Sequence, residues 1–447
     1  METFAISPKE NKKGLLKKYK TYRWSVFIFA TIGYSFFYVC RLSLGIMKKP
    51  IADANIFDEA QLGYIGSALF YAYAVGKFTN GFLADRVNIR KFMAAGLLVS
   101  GLINLMLSSF PGFWLFLLLW GVNGWFQSIG APPCAVAITR WFCGKDRGTY
   151  YGIWSASHSL GKGLVNFVVP FFVGGFVWFG ARIGGLGMGF TSAGVIGMLG
   201  ALIVWLFMFE SPESKGLPAT AILLNEPVAV KTTEGKVSSS QWSVLKNPAI
   251  WILASSSMFM YVSRYALDGW GIYYFQNEKG YSLLHASSFI TINAAFGILG
   301  TILSGIISDK FLNGDRNWIA LVAGILNISG IALFLYYPNG HEVMDAFSMV
   351  LFGLGIGTLI TFLGGLMAID IVSKSATGMA MGLIGFTSYI GGALAESISG
   401  LIIKNHKTVV KGTVHYDFNA VKLFWLGAAF LSMILSLLVW RIKPKEG

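Results

Sequence analysis

Charged residues are scarce in this chain. Asp, Glu, Lys and Arg make up 13% of its 447 residues, whereas about 25% is usual in soluble proteins. Hydrophobic residues reach 55%, and apolar runs of about 20 residues, the length that crosses a bilayer core, recur along the whole chain. The shortage of charge excludes an ordinary soluble protein and predicts an all-α membrane protein with many spanning helices.

Cysteine and the sequence motifs of enzymes are scarce as well. The three cysteines, at positions 40, 134 and 143, lack metal-ligand spacing, and a buried unpaired cysteine behaves as a small hydrophobic residue. Neither a phosphate-binding loop of the GxxxxGKS/T type nor the patterns HExxH and GxSxG occur. These absences argue against an ATP-driven pump, a metalloenzyme and a hydrolase. We expect no enzymatic activity, no cofactor and no metal.

The net charge of +14 reflects membrane topology, and no nucleic-acid partner is expected. Most Lys and Arg residues, including a cluster between Lys9 and Arg23, fall in segments that share one side of the membrane. Under the positive-inside rule, both termini are then cytoplasmic and the number of spans is even. The twelve predicted spans are 23–48, 62–84, 92–110, 113–138, 150–179, 186–209, 249–275, 285–308, 317–338, 343–372, 377–403 and 420–440.

A long polar stretch at residues 210–247 divides the predicted spans six and six. Its segment 231–240, KTTEGKVSSS, has a composition typical of flexible linkers. The predicted organisation is a basic cytoplasmic N-terminus (1–22), a six-helix half (23–209), a cytoplasmic linker (210–247), a second six-helix half (248–441) and a cytoplasmic tail (442–447).

An internal repeat supports these two pseudo-symmetric halves. The segment GKFTNGFLADR at residues 76–86 is matched by GTILSGIISDK at residues 300–310. Each predicts a short loop with an acid and a base, which can form ion pairs and cap helix ends at the cytoplasmic face. An ordinary charged turn is the alternative. The candidate gating residues in these loops are Asp85, Arg86, Asp309 and Lys310.

Cations occur inside predicted spans, where each charge costs roughly 3 kcal/mol or more. They are Arg41, Lys77, His158, Lys162 and Arg264. Groups of one sign at this depth predict a buried pocket for an anion. Arg41 and Arg264 fall at nearly the same offset in the two halves, so we expect them to face each other where two-half transporters bind substrate.

The segment at residues 121–134, GVNGWFQSIGAPPC, is followed by Arg140-Trp-Phe. It resembles the fourth-helix signature of the organophosphate:phosphate antiporters of the major facilitator superfamily, and the resemblance covers essentially the whole chain. It implies twelve helices, inward- and outward-facing states, and exchange of a sugar phosphate or related organophosphate for inorganic phosphate. The overall resemblance favours glucose 6-phosphate. The family's positions near the phosphate fall on Arg41, Arg264, Lys77 and His158. Lys162 and Glu396 depart from the family pattern.

The chemistry of phosphate esters fits these cations. A phosphate ester carries a charge of about −1.5 to −2 and three acceptor oxygens, and arginine binds it bidentately. Arg41 and Arg264 are therefore the predicted clamps, although Arg264 has Asp268 at i+4 as an alternative, structural partner. Lys77 is a predicted auxiliary charge, or else pairs with Glu396 or Asp370. His158 is predicted either to respond to the charge of the substrate or to be a hydrogen-bonded interior histidine. The remaining pocket candidates are Tyr34, Tyr38, Tyr73, Lys162, Tyr261, Tyr265, Asp268 and Glu396.

Two other functions stay open on the sequence alone. One is a glycerol-3-phosphate:phosphate antiporter, and the other is a hexose-phosphate membrane sensor that acts with a partner kinase. The expected partners are the organophosphate, inorganic phosphate and the lipid bilayer, with the protein acting as a monomer. The expected location is the cell inner membrane. The endoplasmic reticulum is the alternative, because Lys443 and Lys445 resemble a dilysine retrieval signal.

Overall fold

The computed structural model describes residues 12–84, 86–178, 181–224, 244–311, 316–372, 377–410 and 413–440. These residues form helices and two small hairpins, and eight of the helices are long and apolar enough to cross a membrane. The helices are α1 (Lys12–Asp53), α2 (Glu59–Ala84), α3 (Ile89–Leu107), α4 (Phe113–Gln127), α5 (Ala131–Trp141), α6 (Gly144–Ser155), α7 (Ser157–Gly174), α8 (Leu186–Phe207), α9 (Thr220–Leu224), α10 (Pro248–Ala266), α11 (Ile272–Asn277), α12 (Leu283–Phe311), α13 (Asn317–Tyr336), α14 (Glu342–Thr361), α15 (Met367–Ile371), α16 (Thr377–Asn405) and α17 (Asn419–Leu438).

Several predicted spans are interrupted helices. The span at 113–138 consists of α4 and α5, and the span at 150–179 falls on α6 and α7. Two others contain one π-helical turn each, at Leu267–Gly271 between α10 and α11 and at Phe362–Leu366 between α14 and α15. Such turns change which side of the helix the following residues face, and they are frequent at functional sites.

The two hairpins correct the purely helical prediction. Strand β1 (Phe176–Trp178) pairs antiparallel with β2 (Ala181–Ile183), so the fifth predicted span ends as a helix at Gly174 rather than at residue 179. The next residue, Gly175, has φ of 79°, which ends the helix and suits glycine. Strand β3 (Lys407–Val410) pairs with β4 (Thr413–Tyr416) between α16 and α17.

The packed structure of the N-terminal part extends beyond both boundaries of the predicted six-helix half. Helix α1 begins at Lys12, within the segment predicted as an N-terminal extension, because Tyr19 is buried and its hydroxyl donates to the Trp141 carbonyl oxygen at 2.6 Å. The first part of the predicted linker also packs against the helices. Thr220 donates to the Arg140 carbonyl oxygen at 2.7 Å, and Leu217 is buried. Residues 225–243 and the tail after residue 440 lie outside the described residues.

Buried polar side chains connect the helices. Asn104 of α3 accepts from the Ser43 hydroxyl of α1 at 3.0 Å and donates to the Cys40 carbonyl oxygen at 3.1 Å. In the second part of the chain, Ser256 of α10 and Ser432 of α17 donate to each other's carbonyl oxygens at 2.8 and 2.9 Å. Hydrogen bonds of this kind hold helices together where the surrounding lipid offers no hydrophobic driving force.

The N-terminal part (residues 12–224) and the C-terminal part (residues 244–440) touch at one end of the bundle, which we call the distal end. There Lys404 forms an ion pair with Asp58 at 2.8 Å, and Lys407 forms one with Glu59 at 2.9 Å. Toward the opposite end, Lys77 of α2 lies between the two parts, with Nζ 5.0 Å from the Tyr389 ring, and its side chain is exposed. Ion pairs therefore join the two parts at the distal end, whereas Lys77 is exposed between them toward the opposite end.

The predicted gating loops are described only in part. Asp85 lies outside the described residues, and Arg86 is exposed beyond the end of α2. The backbone of Asp309 and Lys310 belongs to the last turn of α12, which ends at Phe311. These two residues are therefore helical rather than part of a loop, because the helical hydrogen bonding of α12 continues past the end of its apolar run.

Candidate functional site

Arg41 is buried in the middle of α1, with 3% of the residue exposed. Its guanidinium carbon lies 4.7 Å from the centre of the Tyr38 ring and 4.3 Å from that of Tyr73. Nε, Nη1 and Nη2 are all buried and have no hydrogen-bond partner among the described residues. Aromatic faces attract the positive charge, but they leave the five N–H donors of the guanidinium without acceptors. Arg41 is thus a buried donor group that lacks an acceptor.

Arg264 occupies the corresponding place in α10 and has aromatic neighbours as well. Its guanidinium carbon lies 5.4 Å from the Tyr261 ring centre and 5.2 Å from that of Tyr265. Unlike Arg41, it has an acid beside it, because Nε lies 3.5 Å from Oδ2 of Asp268. The i,i+4 ion pair that the sequence offered as an alternative partner for Arg264 is therefore present.

Asp268 connects the two parts of the chain. It lies in the π-helical turn after α10, and its Oδ1 accepts from Nζ of Lys162 in α7 of the N-terminal part. One carboxylate thus neutralises Lys162 through Oδ1 and Arg264 through Oδ2. Lys162 and Asp268 are also buried, so the ion pair is shielded from solvent. Opening the two parts at this level would separate Lys162 from Asp268.

Two small cavities of about 20 Å³ each flank Asp268. Arg41, Tyr265 and Glu396 are among the residues that line the first, whereas His158, Lys162 and Arg264 line the second. A space of this size holds about one water molecule. The structure therefore brings four of the five predicted basic residues, all except Lys77, together around one carboxylate in a closely packed site.

His158 lies at the edge of the second cavity. Its Nδ1 is hydrogen-bonded to the carbonyl oxygen of Ser155, and its ring centre is 5.8 Å from that of Tyr38. A carbonyl oxygen accepts only, so Nδ1 carries a proton and Nε2 is the nitrogen left to titrate. The interior hydrogen bond expected of a structural histidine is present, and it coexists with a place beside the predicted site.

The other pocket candidates have different surroundings. Tyr34 stacks on Trp154 with ring centres 4.9 Å apart, and its ring centre lies 5.5 Å from that of Tyr38. Lys77 lies near Tyr389, and the alternative that it pairs with Glu396 is wrong. Glu396 instead forms an ion pair with Lys48. The side chain of Asp370 lies outside the description.

Lys48 and Tyr389 are site residues that the sequence analysis missed. Lys48 was placed at the edge of the first span, but α1 continues to Asp53 and buries it completely. Its position seven residues after Arg41, on the same side of a helix, was the available signal. Tyr389 carried none, since a tyrosine in an apolar span is ordinary. Among the described residues, no group of three or more His, Cys, Asp or Glu is placed to hold a metal ion.

Residues 27–396 match the sequence profile of the Major Facilitator Superfamily. A probable hexose phosphate transport protein of Chlamydia pneumoniae is 30% identical over 98% of this chain and 95% of its own length. The glycerol-3-phosphate transporter of Bacillus subtilis is 30% identical over 95% of this chain and 93% of its own. The chain belongs to the organophosphate:phosphate antiporter family.

The comparisons extend to a sensor and to solved structures. This member of the antiporter family is 30% identical to the membrane sensor protein UhpC of Salmonella typhimurium, over 85% of each chain. The crystal structure of a bacterial homologue of the lysosomal transporter Spinster, in an inward-facing and occupied conformation, covers 94% of this chain and 97% of its own. Its TM-score is 0.73 at 18% identity, which shows the shared fold. The protein is thus a multi-pass membrane protein of a transporter fold, and the relatives named here support the expectation that it is not an enzyme.

Proposed function

We propose that this protein is a secondary antiporter that exchanges a sugar phosphate, in the first place glucose 6-phosphate, for inorganic phosphate by alternating access. In this proposal twelve helices span the membrane as two six-helix halves, residues 23–209 and 248–441, and the protein acts as a monomer. Both termini face the cytoplasm, so the distal end faces outward and the structure is the inward-open state. The named relatives are bacterial, which supports the cell inner membrane and gives the endoplasmic reticulum no support.

The observation that carries this proposal is the unpartnered guanidinium of Arg41. Its three nitrogens are buried without acceptors in the part of the chain that the structure describes, and burying donors unpaired costs about 1–3 kcal/mol each. A phosphate group supplies three acceptor oxygens together with the opposite charge. A neutral sugar supplies hydroxyl oxygens but no charge, so the phosphate of the substrate is the group that we assign to Arg41.

Arg264 and Lys162 would join the phosphate only after release from Asp268. Both side chains contact that carboxylate, and a phosphate of charge about −2 would compete with it for the same donors. The exposed Lys77 would meet the anion at the open end of the space between the parts. In this proposal His158 and the tyrosines at positions 38, 73, 261 and 265 complete the pocket, and Asp85, Arg86, Asp309 and Lys310 act at the cytoplasmic gate.

Exchange in proteoliposomes tests the proposal. Vesicles that contain the purified protein are preloaded with phosphate, and uptake of labelled phosphate is measured with glucose 6-phosphate, glycerol 3-phosphate or glucose outside. We expect saturable uptake that needs internal phosphate and is inhibited best by glucose 6-phosphate. Uptake that does not depend on internal phosphate would overturn exchange, whereas stronger inhibition by glycerol 3-phosphate would change the substrate to a glycerol phosphate.

A hexose-phosphate sensor is the second candidate, and the similarity to UhpC supports it. The buried cations would serve a sensor equally well, since both functions require the phosphate to bind. An antiporter carries substrate across the membrane, whereas a protein that acts only as a sensor does not. Tight binding of glucose 6-phosphate to the purified protein, without any exchange in vesicles, would favour the sensor and a partner kinase.

A further inference from the structure

A second buried ion pair lies between the anion site and the distal end. Lys48 of α1 is fully buried, Glu396 of α16 is 4% exposed, and the Lys48 ammonium donates to Oε2 of Glu396. Lys48 belongs to the N-terminal part and Glu396 to the C-terminal part. The pair therefore crosses the surface along which the two parts meet.

The energetic cost of this pair argues against a role in simple fold stability. Removing two charges from water costs several kcal/mol per ion, and a buried pair often contributes no more than two apolar side chains of similar volume would. Lys49 shows the inexpensive arrangement, since it pairs with Asp53 in its own helix, where the Asp53 side chain is 56% exposed. Charged groups kept at depth in a membrane protein are functional by default.

The packing around Glu396 depends on both parts. Gly66 of α2 and Gly269 of the π-helical turn lie against its carboxylate, and a Cβ added at Gly66 would come within 2.5 Å of Oε2. A Cβ on Gly269 would overlap Oε1. One glycine comes from each part of the chain, so the carboxylate fits into a slot that is complete only while the distal end is closed.

Lys48 has a second partner in the C-terminal part. Its Nζ lies 3.7 Å from the centre of the Trp270 ring, within the range of a cation–π interaction. Trp270 is itself fully buried. Separation of the two parts would remove Glu396 and Trp270 from Lys48 together, so both interactions stabilise the closed distal end alone.

We propose that Lys48 and Glu396 are positioning residues of the transport cycle, whose ion pair holds the distal end closed and must separate before substrate exchanges there. This inference rests on the alternating access proposed above. When the distal end opens, water replaces each partner, and no proton transfer is required. Removal of one partner would leave the other charge buried and unpaired in the closed state, which shifts the population toward the distal-open state.

The test uses a cysteine that only the distal-open state exposes. Ser67 is buried, and its hydroxyl donates to the Ala393 carbonyl oxygen of the C-terminal part at 2.6 Å. Ser67→Cys is introduced after replacement of the buried native cysteines, and its labelling by a thiol reagent is followed in the purified protein. We expect Lys48→Met and Glu396→Gln each to accelerate labelling at least about tenfold, because an unpaired buried charge is strongly unfavourable.

Two further variants and a matched control make the outcome specific. The double variant Lys48→Met/Glu396→Gln and the exchange Lys48→Glu/Glu396→Lys should both return labelling toward the parental rate. Lys279→Met breaks an equally buried pair with Asp345, which lies wholly within the C-terminal part. It should lower the melting temperature without accelerating labelling. Two results would overturn the proposed role of the Lys48–Glu396 ion pair. One is equal acceleration of labelling by Lys279→Met, and the other is additivity of the two single changes in the double variant.

The labelling assay tests the role of the Lys48–Glu396 ion pair, and the exchange assay tests the antiporter proposal, so each proposal can fail without the other. The labelling assay contains no substrate, so a parent protein without phosphate exchange can still display the predicted labelling pattern. That result would support the role of the ion pair and reject the antiporter. Normal exchange with unchanged labelling in Lys48→Met would support the antiporter and reject the role of the ion pair.

Discussion

The surroundings of Arg41 and Arg264 differ although the two arginines occupy corresponding places in their parts of the chain. Each has two tyrosine rings within 5.4 Å of its guanidinium carbon. No described residue accepts a hydrogen bond from the side-chain nitrogens of Arg41, whereas Arg264 lies beside Asp268. The N-terminal part thus offers a free cation, and the C-terminal part offers one that is already neutralised.

The difference assigns unequal tasks to the two arginines in the proposed cycle. A free buried guanidinium is destabilised until an anion arrives, so Arg41 gains most from substrate. Arg264 and Lys162 must first lose Asp268, and the gain from phosphate is reduced by the loss of that ion pair. Binding of the anion would therefore weaken the Lys162–Asp268 contact between the two parts, which links occupancy of the site to their separation.

Substitution of the free arginine should have the largest effect. Arg41→Lys keeps the charge but removes the bidentate donor geometry, so we expect phosphate exchange to fall at least about 100-fold, equivalent to losing roughly two charged hydrogen bonds. Arg23→Lys is the matched control. Arg23 lies in the same helix and also contacts aromatic rings, at 5.2 Å from Phe142, but it is far from the site. Similar losses of exchange in both variants would contradict a special role for Arg41.

Removal of the neutralising acid should make the two arginines alike. In Asp268→Asn, Lys162 and Arg264 lose their counter-ion, so we expect phosphate to bind about tenfold more tightly while turnover falls, because the anion then takes the place of the carboxylate. Equilibrium binding and exchange are measured on the same preparation. Asp345→Asn, which disrupts a buried pair away from the site, should leave phosphate affinity unchanged. Weaker binding in Asp268→Asn would show that the carboxylate orients the donors instead.

The aromatic contacts of Arg41 should contribute less than its charge. Tyr73→Leu removes the ring whose centre lies 4.3 Å from the guanidinium, a contact worth about 0.5–2 kcal/mol. We expect a loss of phosphate affinity of about 3- to 30-fold in direct binding measurements. Tyr73→Phe keeps the ring and should stay within about threefold of the parent. A large loss in Tyr73→Phe would assign the hydroxyl, rather than the ring, to substrate binding.

The exposed ion pair of Asp58 with Lys404 at the distal end should contribute least. Burial tends to raise the pKa of Asp58, but hydrogen bonds from Lys404 and the Gln61 backbone N–H outweigh it and hold this pKa below its ordinary value. The stabilisation is therefore complete above the ordinary pKa of about 3.9 and is lost as pH falls through the lowered value.

Accessibility of the Ser67→Cys reporter measures this contribution. Between pH 8 and pH 6, Asp58→Asn should change the equilibrium between closed and open distal ends by less than about 1 kcal/mol, as for other surface pairs. After correction for the thiol's own ionisation, the pH dependence of accessibility in this range should be flat. A rise in accessibility between pH 7 and pH 6 would indicate that a group with a higher pKa controls opening of the distal end.

The sequence was sufficient for the family and for the apolar helices that carry the cations. Apolar runs of spanning length predicted where helices lie, because the hydrophobic thickness of a bilayer fixes the number of residues needed to cross it. The contacts of Tyr38 with Arg41 and of Tyr261 with Arg264 followed from i,i+3 spacing within one helix. The ion pair of Arg264 with Asp268 followed from i,i+4 spacing in the same way.

Only the tertiary structure decided which acid of one part neutralises a cation of the other part. Lys162 and Asp268 are separated by 106 residues, and Lys48 and Glu396 by 348. Helical periodicity orients a side chain around its own helix, but it does not fix how that helix is rotated or shifted against a helix of the other part. The π-helical turn at Leu267–Gly271 adds a local change of register that apolar patterning does not reveal. The sequence by itself thus determined that the cations lie within apolar helices, while packing between the two parts determined that, among the described residues, Arg41 alone of the two arginines has no acceptor.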